Sequence, residues 1–262
     1  MNILDTIIAK KKIEVAEKKK SVSISELERG PFFKNEALSF KEFLLRDDKT
    51  GIIAEYKRKS PSKGIINGTA AVTEVTAAYA KYGASGISVL TDEEFFGGSL
   101  NDLMEATINE IPLLRKDFII DEYQLLESKA YGAEIILLIA ACLTTGEVHS
   151  LASFAKNIGL NVLLEIHNEQ ELAHICNDVD VVGVNNRDLK TFTVDINRSI
   201  ELSKKIPADK IKISESGIDN VESIKLLKEY GFKGFLIGEK FMKEKDPGLT
   251  FQNFTDELKM QK

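Results

Sequence analysis

Eight short apolar runs, rich in β-branched residues, recur along the chain: GIIAEYK (51–57), GISVLT (86–91), IPLLRKDF (111–118), AEIILLIA (133–140), LNVLLEIH (160–167), VDVVGVNN (179–186), KIKISES (210–216) and KGFLIGE (233–239). They start roughly 20–35 residues apart, the length of one strand, one helix and two loops. Between them lie helical patterns: AVTEVTAAYAKYGA, SLNDLMEATINE, DEYQLLESKAYGA, TGEVHSLASFAKNIGL, NEQELAHICND and VESIKLLKEYGF. Several end on the same signal, KYGAS, AYGAE, NIGLN and EYGFK, in which a glycine just past the helix supplies a left-handed cap.

Near-continuous apolar strands alternating with amphipathic helices imply a parallel sheet covered on both faces. Eight such units predict closure into a single (β/α)8 barrel of the TIM type. The competing open doubly wound sheet lacks its dinucleotide fingerprint, G-x-G-x-x-G after the first strand. The reading assigns residues 51–262 to the barrel. Residues 1–50, which contain ILDTIIAKKKIEVA and LSFKEFLL, form a helical extension packed on it and not a second domain. No low-complexity linker interrupts the chain.

A length of 262 residues fits one α/β barrel. The net charge of −6 excludes a general nucleic-acid binder, so any anion site must be a local basic cluster. Cys142 and Cys176 form no CxxC pair and read as reduced thiols. No apolar run approaches the length of a membrane span, and the N-terminus lacks the marks of a signal peptide. A cytoplasmic protein with no membrane partner is expected.

The charges are concentrated where a barrel places catalytic groups, at the C-terminal ends of its strands. In IAEYKRKSPSKG, Glu55 and Lys57 share one face of the first strand. Lys116 follows the third run, Glu165 ends the fifth, Asn185 and Arg187 end the sixth, and Glu215 with Ser216 ends the seventh. One charged strand end is ordinarily a solvated rim residue. Polar residues at five strand ends read as an active site. The seventh and eighth ends also carry Ser216-Gly217 and Gly238-Glu239, and the loops after these strands frequently bind phosphate through backbone N–H groups.

The stretches IAEYKRKSPSKG, GISVLTDEEFFGGS, LLRKDFIIDEYQ, EIILLIA, LLEIHNEQEL, VGVNNRDL, ISESGI and FLIGE resemble, in order, those of the indole-3-glycerol phosphate synthase family. ILDTIIAKKKIEVA is similar to that family's N-terminal helical extension. The resemblance implies a tryptophan-pathway enzyme that closes the indole ring of 1-(o-carboxyphenylamino)-1-deoxyribulose 5-phosphate with loss of carbon dioxide and water. It implies no metal and no organic cofactor. It makes Lys116 the general acid and Glu165 the base of the later dehydration. Lys57 holds substrate anions and can also transfer protons. Glu55, Asn185 and Ser216 complete the catalytic set. Ser60, Phe96, Phe118, Leu137, Arg187 and Glu215 contact substrate, and Lys57, Gly217, Gly238 and Glu239 receive the phosphate. Association with other tryptophan-pathway enzymes stays open.

Chemistry points the same way. Attack of an aromatic carbon on a carbonyl needs a proton donor at the oxygen, and a lysine does this best with its pKa lowered toward neutrality, by burial or by a neighbouring cation such as Lys57. Residues 58–63 lie past the strand and read as a mobile lid over an anionic substrate. Glu239 must turn its carboxylate away from a phosphate. His167 shares the Glu165 face if the strand persists. His149 and His174 fall in helical segments as surface or packing residues. The nearest rivals are phosphoribosylanthranilate isomerase, which wants an Asp/Cys pair at strand ends, a Schiff-base aldolase using Lys57 or Lys116, and a catalytically silent barrel scaffold.

Overall fold

The computed structural model describes residues 3–189 and 191–260. The outer ends of the expected extension and barrel, residues 1, 2, 261 and 262, lie outside the described residues. The apolar runs form eight parallel strands: β1 (Ile52–Tyr56), β2 (Gly86–Leu90), β3 (Leu113–Lys116), β4 (Ile135–Ile139), β5 (Asn161–Ile166), β6 (Val181–Asn185), β7 (Ile211–Glu215) and β8 (Phe232–Ile237). They pair in chain order and close, because β1 bonds both to β2 (Ile53↔Gly86) and to β8 (Ile52↔Phe235).

Strand side chains alternate, and here both sides are apolar. Ile53, Leu114, Ile135, Leu137, Leu163, Val181 and Ile213 fill the barrel interior. Their neighbours Ile52, Leu113, Ile136, Leu138, Val162 and Val182 pack outward under the helices. Phe40 and Leu44, from the short helix Phe40–Leu45, join the interior cluster and close its N-terminal end, with Phe40 against Gly86 at the start of β2.

Helices Val72–Lys81, Leu100–Ala106, Glu122–Ala130, Thr145–Asn157 and Val221–Glu229 occupy the predicted segments. Gly83, at φ 96°, ends the first as its KYGAS signal requires. The exception is NEQELAHICND, which makes only a 3-10 turn over Gln170–His174. There the Glu171 carboxylate folds back to accept from the His167 backbone N–H at 2.6 Å, a local bond that competes with a helical one. Helices Asn197–Ser203, Glu239–Met242 and Pro247–Met260 complete the shell where the sequence reading placed none.

The N-terminal helix Ile3–Ser21 buries Ile7, Lys11 and Val15, one every fourth residue. Val15 packs with Tyr123, Leu126 and Ala130, and Lys11 reaches Asp92 and Asp117 at 2.9 Å each. No described helix is long and apolar enough to cross a membrane.

Candidate active site

Along the inner face, each of five strands exchanges an apolar side chain for a polar one as it nears the C-terminal mouth. Ile53 gives way to Glu55 and Lys57, Leu114 to Lys116, Leu163 to Glu165, Val181 to Asn185, and Ile213 to Glu215. These groups line one cavity of about 320 Å³. Ser60, Phe96, Phe118, Leu137, Arg187, Ser216, Gly217, Gly238 and Glu239 line it too. Every residue singled out in the sequence as a site candidate therefore reaches the same space.

The floor is a set of opposed charges. Lys57 Nζ lies 2.5 Å from Glu55 Oε1, and Lys116 Nζ lies 3.2 Å from Glu165 Oε2. The Lys116 side chain is 17% exposed and that of Glu165 2%. Burial works against the Lys116 charge, but Glu165, Glu215 and Glu55 outweigh it and drive its pKa upward. This corrects the expectation of a lysine lowered toward neutrality. The sequence offered Lys57 as the depressing cation, and the fold gives Lys57 to Glu55 while surrounding Lys116 with carboxylates. Lys116 is therefore a fully loaded ammonium when no substrate is bound.

The carboxylates themselves divide. Burial raises both, but Lys116 and His167 hold Glu165 well below the usual range. Glu215 is pushed upward by burial and by the charge of Glu165. Among the described residues its Oε1 has no hydrogen-bond partner. Room for it comes from Gly183 on β6, where a Cβ would stand 2.3 Å from Glu215 Oε1. Sequence reading did not mark Gly183, since only the register of β6 against β7 reveals the conflict.

The walls differ in kind. Phe96 and Phe118 stand 6.2 Å apart, tilted by 40°, and with Leu137 they make an apolar side. Across from it, Ser216 and Gly217 adopt successive left-handed conformations, φ 67° and 75°, so their backbone can turn into the cavity. Asn186 Nδ2 donates to the Ser216 carbonyl at 3.0 Å and pins this turn. The Gly217 and Gly238 turns open on the same cavity at the barrel's C-terminal end. Glu239 leans outward between Lys63 and Arg187, each 3.8 Å away.

The segment after β1 is a small hairpin, Lys59–Ser60 against Gly64–Ile65. Arg58 at its base is paired with Asp102 by two hydrogen bonds, 2.5 and 2.7 Å, and is thus an anchor and not a free cation. Ser60, Pro61 and Ser62 line the cavity. Residues that the sequence reading did not mark also line it: Ile3, Leu4 and Ile7 from the N-terminal helix, Phe192, and Lys240 and Lys243 after β8. The helical spacing of Leu4 and Ile7 and the lysines of GEKFMKEK were the available signals. Among the described residues no group of three His, Cys, Asp or Glu could hold a metal ion. Cys142, pushed up by burial, is a neutral thiol.

The sequence model of indole-3-glycerol phosphate synthase matches residues 4–254. The chain belongs to the indole-3-glycerol phosphate synthase family. A family protein of Bacteroides thetaiotaomicron is 48% identical over 254 residues, covering 97% of each chain. One of Alkaliphilus metalliredigens is 45% identical over 245 residues, covering 92% of this chain and 93% of the relative. Among solved structures, the tryptophan synthase α subunit of Legionella pneumophila superposes with a TM-score of 0.61 at 13% identity, over 84% of this chain and 97% of that one. The 3-hexulose-6-phosphate synthase of Salmonella typhimurium gives 0.61 at 11% identity, over 80% and 99%. At such identities these two speak for the barrel alone.

Proposed function

We propose that this chain is a carboxy-lyase that makes indole-3-glycerol phosphate from 1-(o-carboxyphenylamino)-1-deoxyribulose 5-phosphate in cytoplasmic tryptophan biosynthesis. Family membership supports the reaction. The observation that carries the residue assignment is the Lys116–Glu165 pair, a proton donor and a proton acceptor 3.2 Å apart in the cavity at the barrel mouth.

In this reading the phosphate is held by the Ser216-Gly217 and Gly238-Glu239 turns, with Lys57 as a cation toward it. Phe96, Phe118 and Leu137 receive the aromatic ring. Anchoring both ends brings the ring carbon and the ketone carbon together as neighbours. Lys116 donates its proton to the ketone oxygen as the carbon–carbon bond forms. Carbon dioxide then leaves the ring carbon, and its bonding electrons restore the aromatic system. Glu165 takes the proton released as water departs, and Lys57 is placed to protonate the leaving hydroxyl. Glu55 and Asn185 orient Lys57 and the substrate, Ser60, Arg187 and Glu215 border it, and residues 1–50 act as an extension that completes the mouth through Ile3, Leu4 and Ile7.

The test is direct. The purified chain, given the carboxyphenylamino-deoxyribulose phosphate without added metal, should develop indole fluorescence and release carbon dioxide in equal amount. Absence of both, in a folded protein, overturns the reading.

A further inference from the structure

Glu165 is held from two sides. Its Oε2 accepts from Lys116, and its Oε1 lies 3.3 Å from His167 Nε2, a charge contact without hydrogen-bond geometry. His167 is buried and does not line the cavity. Its other ring nitrogen, Nδ1, lies 3.3 Å from Glu171 Oε2, and that oxygen also accepts the His167 backbone N–H. Glu171 is fixed in turn, because Asn168 Nδ2 donates to its Oε1 at 2.6 Å. Lys116, Glu165, His167 and Glu171 thus form a row of alternating charge running from the cavity into the turn Gln170–His174. The proposed reaction uses the first two and leaves the others without a task.

We propose that His167, anchored by Glu171, is a positioning residue that aims the Glu165 carboxylate at the substrate. It keeps that carboxylate ionised when Lys116 turns to the ketone oxygen. This rests on Glu165 being the base. A base oriented by Lys116 alone would lose its partner at the step where Lys116 reacts. A second contact, outside the cavity and undisturbed by substrate, removes that dependence. His167 can serve because it stays charged. Burial opposes its charge, but Glu165 and Glu171 outweigh burial and push its pKa up to about 9. The other groups facing this row are Cys142, a neutral thiol beside both carboxylates, and Lys116 and Asn185, which reach Glu165 from β3 and β6. The shortening of the helix predicted over NEQELAHICND acquires a purpose in this arrangement, since it is Glu171 folding back to His167 that the turn accommodates.

Steady-state kinetics on His167→Leu, His167→Gln and Glu171→Gln test this. His167→Leu should lower kcat by roughly 10–100-fold, the usual scale for such supporting contacts, with KM nearly unchanged. The acidic limb of its kcat profile should move up by about one pH unit, because Glu165 loses a neighbouring cation. His167→Gln, which keeps a polar side chain beside Glu165 but not the charge, should lower kcat less than His167→Leu while moving the acidic limb as far. Glu171→Gln should act in the direction of His167→Leu but more weakly, and it carries the test if His167→Leu does not fold. A wild-type kcat and an unmoved acidic limb in both His167→Leu and Glu171→Gln overturn the proposal. So does a loss of kcat that is no smaller in His167→Gln and that comes with no shift in the pH profile, since that is merely structural damage. Glu165→Gln separates the levels. If it turns over at the wild-type rate, the assignment of the base is wrong. If it is inactive while the His167 variants are normal, only the positioning role falls.

Discussion

Arg115 and Lys116 are neighbours on β3, both cationic, both surrounded by carboxylates, and they face opposite sides of the sheet. Arg115 is 0% exposed and donates to Thr91 Oγ1, the Gln124 carbonyl, Ser128 Oγ and Asp117, with Glu127 at 2.8 Å. Lys11 from the N-terminal helix closes the set on Asp117 and Asp92. Lys116 instead donates to Glu165 and opens on the cavity, beside Glu55 and a Glu215 oxygen without a partner. The first cluster is buried and its charges are paired, so it holds shape. The second is incompletely paired and accessible, so it has interactions left to offer a substrate. Like charges on adjacent residues become scaffold or chemistry according to what surrounds them.

The sharpest break of this contrast is Lys116→Ala. It should reduce kcat by about 10⁴-fold, the upper end for a general acid, while KM changes little, as rapid-quench turnover assays would record. An unchanged kcat removes Lys116 from the mechanism. Glu165→Gln should cost about 10²–10³-fold and stall after ring closure, so mass spectrometry of quenched mixtures should find a decarboxylated, still-hydrated intermediate.

On the sealed side, Lys11→Met leaves Asp92 and Asp117 without their lysine. Breaking a buried ion pair from one end destabilises by about 3–5 kcal/mol, to be measured by urea unfolding, with kcat falling far less than in Lys116→Ala. Equal kcat losses in the two variants would erase the distinction between the clusters.

A smaller effect should follow pH. The pKa of His167 is raised from 6.5 to about 9 on folding, so its contribution to stability is complete below 6.5 and lost as pH rises through 9. Urea midpoints should decline over that window in the wild type and decline less in His167→Leu.

The smallest effect belongs to the hairpin. Its exposed Lys63 attracts an anion through solvent, so KM should rise a few-fold between low and physiological salt. Hydrogen exchange over residues 60–64 should slow with a substrate analogue, while Arg58, tied to Asp102, stays as it was. Exchange already slow without ligand would make the segment a fixed rim.

Much of this protein is written in local pattern. The spacing of the apolar runs determines eight strands, and their period of two decides that Glu55, Lys57, Lys116, Glu165, Asn185 and Glu215 face one way. A strand's alternation depends only on near neighbours in the chain, so the sequence by itself suffices for it. What surrounds each of those groups does not follow from near neighbours. The upward shift of Lys116 depends on carboxylates from β1, β5 and β7, brought together by barrel closure. The space at Gly183 depends on the register of β6 against β7, and the burial of Lys11 depends on where a helix more than eighty residues upstream of Asp92 comes to rest. Electrostatics falls off with distance through space and not along the chain. The tertiary structure alone therefore decided which lysine is a sealed strut and which is a loaded acid.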